Sequence, residues 1–190
     1  MDRRQRKTRE AIFKAFISLL SKNNITKITV SDIIEAADVG RATFYAHFET
    51  KDFLVKELCE ELFCHIFDCV DVEHNNHRHI FECDSTDSGF LHLLVHLQKN
   101  DNNILELLSC QNNELFILYF KDGLIKMIES MDDISDYCNN AGLPKDYFTN
   151  HVATAFVETV KWWIKNGLKL TPQEVSDIFY KAIGIQIKER

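Results

Sequence analysis

The sequence predicts an all-α protein in which a small N-terminal unit of three helices precedes a larger helical body. Only 2 prolines and 6 glycines occur among 190 residues, so long helices run uninterrupted and a turn-rich β-sandwich is disfavoured. Apolar residues recur at the i, i+3, i+4 spacing of amphipathic helices along most of the chain. A composition of 45% hydrophobic and 27% charged residues is typical of a folded globular chain.

Charge divides the chain into a basic head and an acidic body. Residues 1–60 hold 11 Lys and Arg against 9 Asp and Glu, whereas residues 61–190 hold 11 against 20. The net charge of −7 therefore lies entirely in the body. Such asymmetry is expected when only one end of a protein meets a polyanion, although a solvated charged N-terminus explains the composition equally well.

No targeting, membrane or redox signal accompanies this charge pattern. The longest purely apolar run, residues 115–120, is far shorter than the roughly 20 residues of a membrane span. The charged N-terminus is not followed by a signal-peptide core. The 6 cysteines contain no C-x-x-C pair, so they are interpreted as free thiols that act as small hydrophobes in a reducing compartment. We expect a cytoplasmic protein.

The head is predicted to contain three helices, followed by a long fourth helix. The first runs from about Arg6 to Lys22. The second follows Thr29, which with Asp32 has the spacing of a capping box. The third is expected from Arg41 to about Phe48, and the fourth from Lys51 to about Val70.

Two short helices joined by a tight turn and packed under a longer one predict a helix-turn-helix. In the third helix Phe44 and Phe48 face inward. The outward positions are rich in groups that bind phosphates and base edges: Arg41, Ala42, Thr43, Tyr45 and His47. A helix serving the core alone has no need of that face, so double-stranded DNA is the expected partner.

The segment Thr29–Leu54, TVSDIIEAADVGRATFYAHFETKDFL, resembles the DNA-binding signature of the TetR family of bacterial transcriptional regulators. The resemblance covers about residues 8–58. It implies phosphate contacts from Tyr45, Lys51 and Thr29, and base readout from Arg41, Ala42 and Thr43. His47 is implied to contact a phosphate or a base.

Two positions depart from the family pattern. Asp38 stands where the family commonly has Gly at the end of the second helix, a place where a left-handed residue is expected at some cost. Gly40 stands where a Ser usually caps the recognition helix, so no hydroxyl is available there for a phosphate.

Five further helices are predicted in the body. Two short ones span about 88–100 and 104–109, and an element apolar on all sides spans 114–131 and belongs in the centre. Residues 132–144 are expected to form a loop. A long helix then ends at Asn166–Gly167, and Thr171–Pro172–Gln173–Glu174 caps the last one.

The resemblance also implies how the protein is assembled and controlled. It implies a DNA-binding domain at residues 1–50 and an effector-binding and dimerisation domain at residues 51–190. A homodimer would form through the last two helices and bind an inverted-repeat operator, most often as a repressor. An interior rich in aromatic residues suggests a small apolar or aromatic effector. The alternative is a dimeric interaction module or co-regulator that does not respond to a small ligand.

No cofactor or enzyme activity is expected. No phosphate-binding or nucleophile-elbow motif is present. The polar stretch containing His74, His77, His79 and Cys83 lacks the second ligand pair of a zinc site, so no metal site is expected there. An enzyme using this stretch as a metal centre is the remaining rival.

Overall fold

The structure, a computed structural model, describes residues 3–20, 22–70, 88–99, 104–109 and 114–184. These residues contain ten α-helices joined by turns. These ranges contain no strand, and the all-α prediction is confirmed. The helices are α1 Arg3–Leu20, α2 Val30–Ala36, α3 Arg41–His47, α4 Lys51–Val70, α5 Gly89–Lys99, α6 Ile104–Ser109, α7 Glu114–Glu129, α8 Asp132–Ala141, α9 Lys145–Lys165 and α10 Pro172–Ile183.

The head is built on α1, which packs against α2, which in turn contacts α3. Ile12, Phe16, Ile33, Phe44 and Phe48 are each no more than 1% exposed and form its core. Helix α1 begins and ends a few residues earlier than predicted, because polar residues at its ends carry no periodic signal.

Helix α4 leaves the head and continues into the body, where it packs on α7 and α5. The buried apolar side chains form one continuous cluster from Ile12 to Ile183, so the same core supports the head and the body. Helix α7 also contacts α6, α8 and α9, as expected for a central element, although its Leu118 is 62% exposed.

The prediction of a loop over residues 132–144 is wrong, because residues 132–141 form α8. Ile134 and Cys138, four residues apart, are buried on one face, and Tyr137 stacks on Phe148 with ring centroids 5.0 Å apart. Gly142, with φ of 66°, ends the helix in a left-handed conformation. The described body therefore has six helices after α4 rather than five.

Helix α9 ends, and helix α10 begins, where the sequence predicts. Helix α9 ends at Lys165, before Gly167 with φ of 72°. Thr171 Oγ1 accepts from the Glu174 N–H while the Glu174 carboxylate accepts from the Thr171 N–H, which confirms the capping box of α10. None of the described helices is long and apolar enough to cross a bilayer.

Candidate nucleic-acid interface

The N-terminus of α2 is closed by its own capping box. Thr29 Oγ1 accepts from the Asp32 N–H at 3.2 Å, and the Thr29 N–H donates to Asp32 Oδ2 at 2.7 Å. The Thr29 hydroxyl also donates to the same carboxylate at 2.8 Å. These backbone and side-chain hydrogen bonds hold the pKa of Asp32 below its usual value. A phosphate at Thr29 would therefore share this helix end with a carboxylate.

The turn between α2 and α3 places the recognition helix. Asp38 has φ of 52°, the left-handed conformation that its position predicted. The Val39 N–H donates to Ile34 O at 3.1 Å across it, which satisfies a carbonyl at the end of α2. Gly40 is extended, with φ of −73°, and caps α3 without a side-chain hydrogen bond.

Two buried aromatic rings pack helix α3 against the core of the head. Phe44 is fully buried and Phe48, the residue that ends the helix, is 1% exposed, with ring centroids 6.0 Å apart. The opposite side of α3 points to solvent, where Arg41, Ala42, Thr43 and Tyr45 are all exposed. His47 is half-buried beside Phe48. One short helix therefore carries five of the seven predicted site residues.

Arg41, at the first position of α3, is oriented by a neighbour on α2. Its guanidinium donates to Ser31 Oγ at 3.2 Å, and both side chains are exposed. Ser31 was not among the predicted site residues, because nothing in the sequence indicates which side chain Arg41 contacts across the turn.

Lys51 lies at the first position of α4 with its ammonium turned back toward the loop before α2. Lys51 Nζ donates to Ile25 O at 2.8 Å and to Ile28 O at 2.9 Å. An ammonium has three N–H donors, so two of the three are used within the head. Lys51 thus ties the loop between α1 and α2 to α4.

Tyr45 projects from the middle of α3 and is 48% exposed. Its ring packs edge-on against Phe44 with centroids 5.4 Å apart, so one side of the ring is supported by the head while about half of the residue is open to solvent. The recognition face therefore combines a guanidinium, a threonine hydroxyl and a phenol, all of which can donate hydrogen bonds to DNA.

The stretch with His74, His77, His79 and Cys83, for which the sequence predicts no metal site, lies outside the described residues. Elsewhere, the described ranges place no group of three or more His, Cys, Asp or Glu side chains where a metal ion could be held. Helix α5 contains a buried histidine pair, His92 and His96, that was not predicted, although the i, i+4 spacing of the two residues is visible in the sequence.

Comparisons with known proteins match both parts of the chain. Residues 12–58 match the family model of bacterial regulatory proteins of the tetR family, and residues 84–184 match a transcriptional regulator C-terminal region. A solved TetR transcriptional regulator from Streptococcus agalactiae 2603V is 32% identical, with 96% of each chain covered and a TM-score of 0.68.

Curated relatives match over different shares of the chain. An uncharacterized HTH-type transcriptional regulator of Bacillus subtilis (strain 168), YxbF, is 39% identical over 71 residues, 35% of this chain and 19% of the relative. The aligned part thus spans about a fifth of that protein's length, and 30% of a second B. subtilis regulator, YvdT. The dhaKLM operon transcriptional activator DhaS of Lactococcus lactis is 26% identical over 86% of this chain and 82% of its own.

The fold and the outward face of α3 define the class as a helix-turn-helix transcriptional regulator. The chain belongs to the TetR family of transcriptional regulators. Regulators of this family bind DNA, are dimeric and are typically not enzymes.

Proposed function

We propose that this regulator binds an inverted-repeat operator as a homodimer and is a repressor released by a small apolar or aromatic effector. Residues 1–50 would form the DNA-binding domain and residues 51–190 the effector-binding and dimerisation domain. The observation that carries the proposal is the face of α3, where Arg41, Thr43 and Tyr45 are exposed above two buried phenylalanine rings.

Base readout is assigned to the first turn of α3. Arg41, Ala42 and Thr43 lie at the N-terminal end of the helix, which is the end that enters the major groove in this motif. Arginine pairs with guanine, threonine with several base edges, and alanine packs on a thymine methyl group.

Phosphate contacts are assigned to Tyr45, His47, Lys51 and Thr29. The exposure of Tyr45 supports a phosphate contact by its phenol. For Lys51, two of the three ammonium N–H groups bond loop carbonyls, which leaves one to donate to a phosphate. His47, half-buried at the end of α3, reaches the backbone or a base edge at the margin of the groove. For Thr29 the backbone N–H groups beside the capping box, rather than its hydroxyl, are the better phosphate donors.

The dimer is assigned to α9 and α10. Trp162 on α9 is 44% exposed and Ile178 on α10 is 42% exposed, so each helix leaves a large apolar side chain on the surface. Aromatic side chains at the centre of an interface contribute strongly to association. A two-fold axis through these helices would give the protein the symmetry of an inverted repeat.

Repression is assigned because occupancy of an operator alone blocks transcription, whereas activation needs a further surface that engages the polymerase. Relatives of both kinds exist: a probable acrEF/envCD operon repressor of Escherichia coli (strain K12) is 36% identical over 52 residues, and DhaS is named an activator. Transcription from an operator-bearing promoter, with and without the protein, tests the direction, and increased transcription would contradict it.

An apolar or aromatic effector is supported by the composition of the body. Phe90 contacts Phe156, Phe179 and Tyr180 at centroid distances of 4.9–5.8 Å, so aromatic rings join α5 to the last two helices. An inducer must bind the free protein more tightly than the operator complex, by the same factor by which it weakens operator binding. Calorimetry with and without operator duplex would measure both affinities.

Selection of operators from random duplexes, followed by binding assays on variants, tests the DNA-binding roles. We expect an inverted repeat, and we expect Arg41→Ala or Thr43→Ala to relax the preference at one base pair in each half-site by about 1–3 kcal/mol. Tyr45→Phe should weaken all sequences about equally. The assignment is wrong if Tyr45→Phe changes the preferred sequence while the other two variants leave it unchanged.

A further inference from the structure

One charged side chain of α1 contacts both the recognition helix and α4. The Arg9 guanidinium forms an ion pair with the Glu57 carboxylate on the second turn of α4. The same guanidinium lies over the Phe48 ring, 4.8 Å from its centroid. Phe48 is the C-cap of α3, directly after the last helical residue, so Arg9 of α1 contacts both the end of α3 and α4.

The environment of this pair differs from that of the other ion pairs. The Arg9 and Glu57 side chains are 27% and 14% exposed, whereas those of Lys126 and Asp122 are 62% and 58% exposed. Four further ion pairs between described residues each join two residues of the same helix. Because partial burial reduces screening by water and salt, the Arg9–Glu57 pair is the one expected to stabilise a particular arrangement of helices.

Phe48 makes this contact relevant to DNA. Its N–H donates to Phe44 O at 2.9 Å, and its ring contacts Phe44 and Phe53, the latter on α4. A guanidinium seated on this ring therefore fixes the end of α3 against the start of α4. The exposed face of α3 depends on that end for its orientation.

We propose that Arg9 and Glu57 are positioning residues for operator binding, holding the recognition helix at a fixed angle to α4 without touching DNA. This inference rests on the proposed function, because it requires that α3 read the operator.

Removing either partner should weaken operator binding, and the sign of the Glu57 effect is decisive. Arg9→Gln removes a positive charge and Glu57→Gln removes a negative one. Long-range attraction to DNA alone predicts weaker binding for the first and tighter binding for the second. The positioning role predicts that both variants bind about tenfold more weakly, since both break the same pair.

Salt dependence separates positioning from direct contact. If Arg9 touched a phosphate, its loss would lower the slope of log affinity against log salt by about one. A positioning residue leaves the slope and the preferred operator sequence unchanged. Arg9→Lys, which retains the charge, should recover most of the affinity, and Arg9→Glu with Glu57→Arg should bind more tightly than the product of the single effects predicts.

Lys56→Gln is the matched control. Lys56 makes the same two kinds of contact, with Glu60 at 3.5 Å and over the Phe53 ring at 5.8 Å, but all three residues belong to α4. The operator affinities of the full-length variants are compared by fluorescence anisotropy, with the selected operator duplex, at a temperature below the thermal unfolding midpoint of every variant. We expect Lys56→Gln to retain wild-type affinity within about twofold.

The outcomes are distinct. Wild-type protein that selects no operator would refute the proposed function itself. If the wild type binds specifically and Glu57→Gln binds equally well or more tightly, or Arg9→Gln lowers the salt slope by about one, the positioning role is refuted. Equal losses in Arg9→Gln and Lys56→Gln would likewise overturn it, since only the first breaks a contact between helices.

Discussion

At the scale of single residues, three of the side chains proposed to contact DNA already make hydrogen bonds within the protein. Lys51 Nζ bonds two loop carbonyls, the Arg41 guanidinium bonds Ser31, and the Thr29 hydroxyl bonds Asp32. Side chains ordered before binding lose less conformational entropy when they meet a ligand. Of these three, only Arg41 lies on α3, so within the proposed recognition face its guanidinium is the donor that starts from a defined position.

The left-handed backbone conformation of Asp38 lowers the stability of the protein, and a substitution can recover this stability. Its φ of 52° places a Cβ in the left-handed region, which glycine adopts without strain. We expect Asp38→Gly to stabilise the protein by about 0.5–1 kcal/mol after allowing for the greater freedom of glycine in the unfolded chain. Urea unfolding measures this. Asp38→Ala, which keeps a Cβ but loses the side-chain oxygens, should be less stable than wild type, and equal stabilisation by both variants would refute the explanation.

The buried His92 predicts a pH dependence of stability. Burial, followed by the charges of His96 and Lys99, lowers the pKa of His92 to about 4, and its Nε2 lies 3.1 Å from His96 Nε2. Below pH about 6.5 the unfolded chain binds a proton that the folded protein accepts only near pH 4, so acidification favours unfolding in that window. Between pH 7 and pH 5 the midpoint of urea unfolding should therefore fall more for the wild type than for His92→Gln. Identical pH dependence in the two proteins would contradict the assignment.

At the scale of helices, elements with strong local signals were predicted and elements defined by packing were not. Thr29 and Thr171 carry capping boxes that mark the starts of α2 and α10 in the sequence itself, and both are confirmed. Helix α8 was missed because its apolar face is only Ile134, Tyr137 and Cys138 among polar residues. The segment is helical because this short apolar face packs against α7 and α9, and such tertiary contacts stabilise a helix whose own sequence signal is weak.

The contact between α4 and α7 depends on a glycine. A Cβ on Gly123 would overlap the ring of Phe63, a buried residue whose centroid is 5.4 Å from that of Phe120. Alanine would favour the α7 helix by about 1 kcal/mol, but overpacking costs about 1–3 kcal/mol. We therefore expect Gly123→Ala to lower the free energy of unfolding, as measured in urea.

Phe63→Ala, which removes the Cγ, Cδ2 and Cε2 atoms that the added Cβ would meet, provides the background that tests this reason. In that variant the ring is absent, so the same Gly123→Ala change should become neutral or stabilising. A loss of equal size in both backgrounds would show that the cost does not arise from the Phe63 ring. Because α4 links the head to the body, the variants also report whether strain at this contact alters operator affinity.

At the scale of the whole molecule, the sequence predicted the division into head and body but not the contacts between elements. The outward set on α3 followed from helical periodicity around Phe44 and Phe48. Arg9 and Glu57 were not predicted as partners, because 48 residues separate them and no periodic pattern links α1 to α4. Long-range pairs of this kind depend on how helices pack, which the local spacing of apolar residues does not determine.

The proposed dimer makes the last prediction. Trp162→Glu or Ile178→Glu replaces a surface side chain that is 44% or 42% exposed, so the monomer fold should tolerate either change. An isologous interface loses each contact twice, and burial of one such side chain contributes about 1.5–3 kcal/mol, so dimerisation should weaken by at least about a hundredfold. Sedimentation should then show monomers that bind the inverted repeat poorly. Leu118→Glu on α7, at a site 62% exposed, is the control and should remain dimeric. Monomers from the control alone would move the interface to α7, and a wild-type monomer that binds one half-site tightly would remove the basis for an inverted repeat.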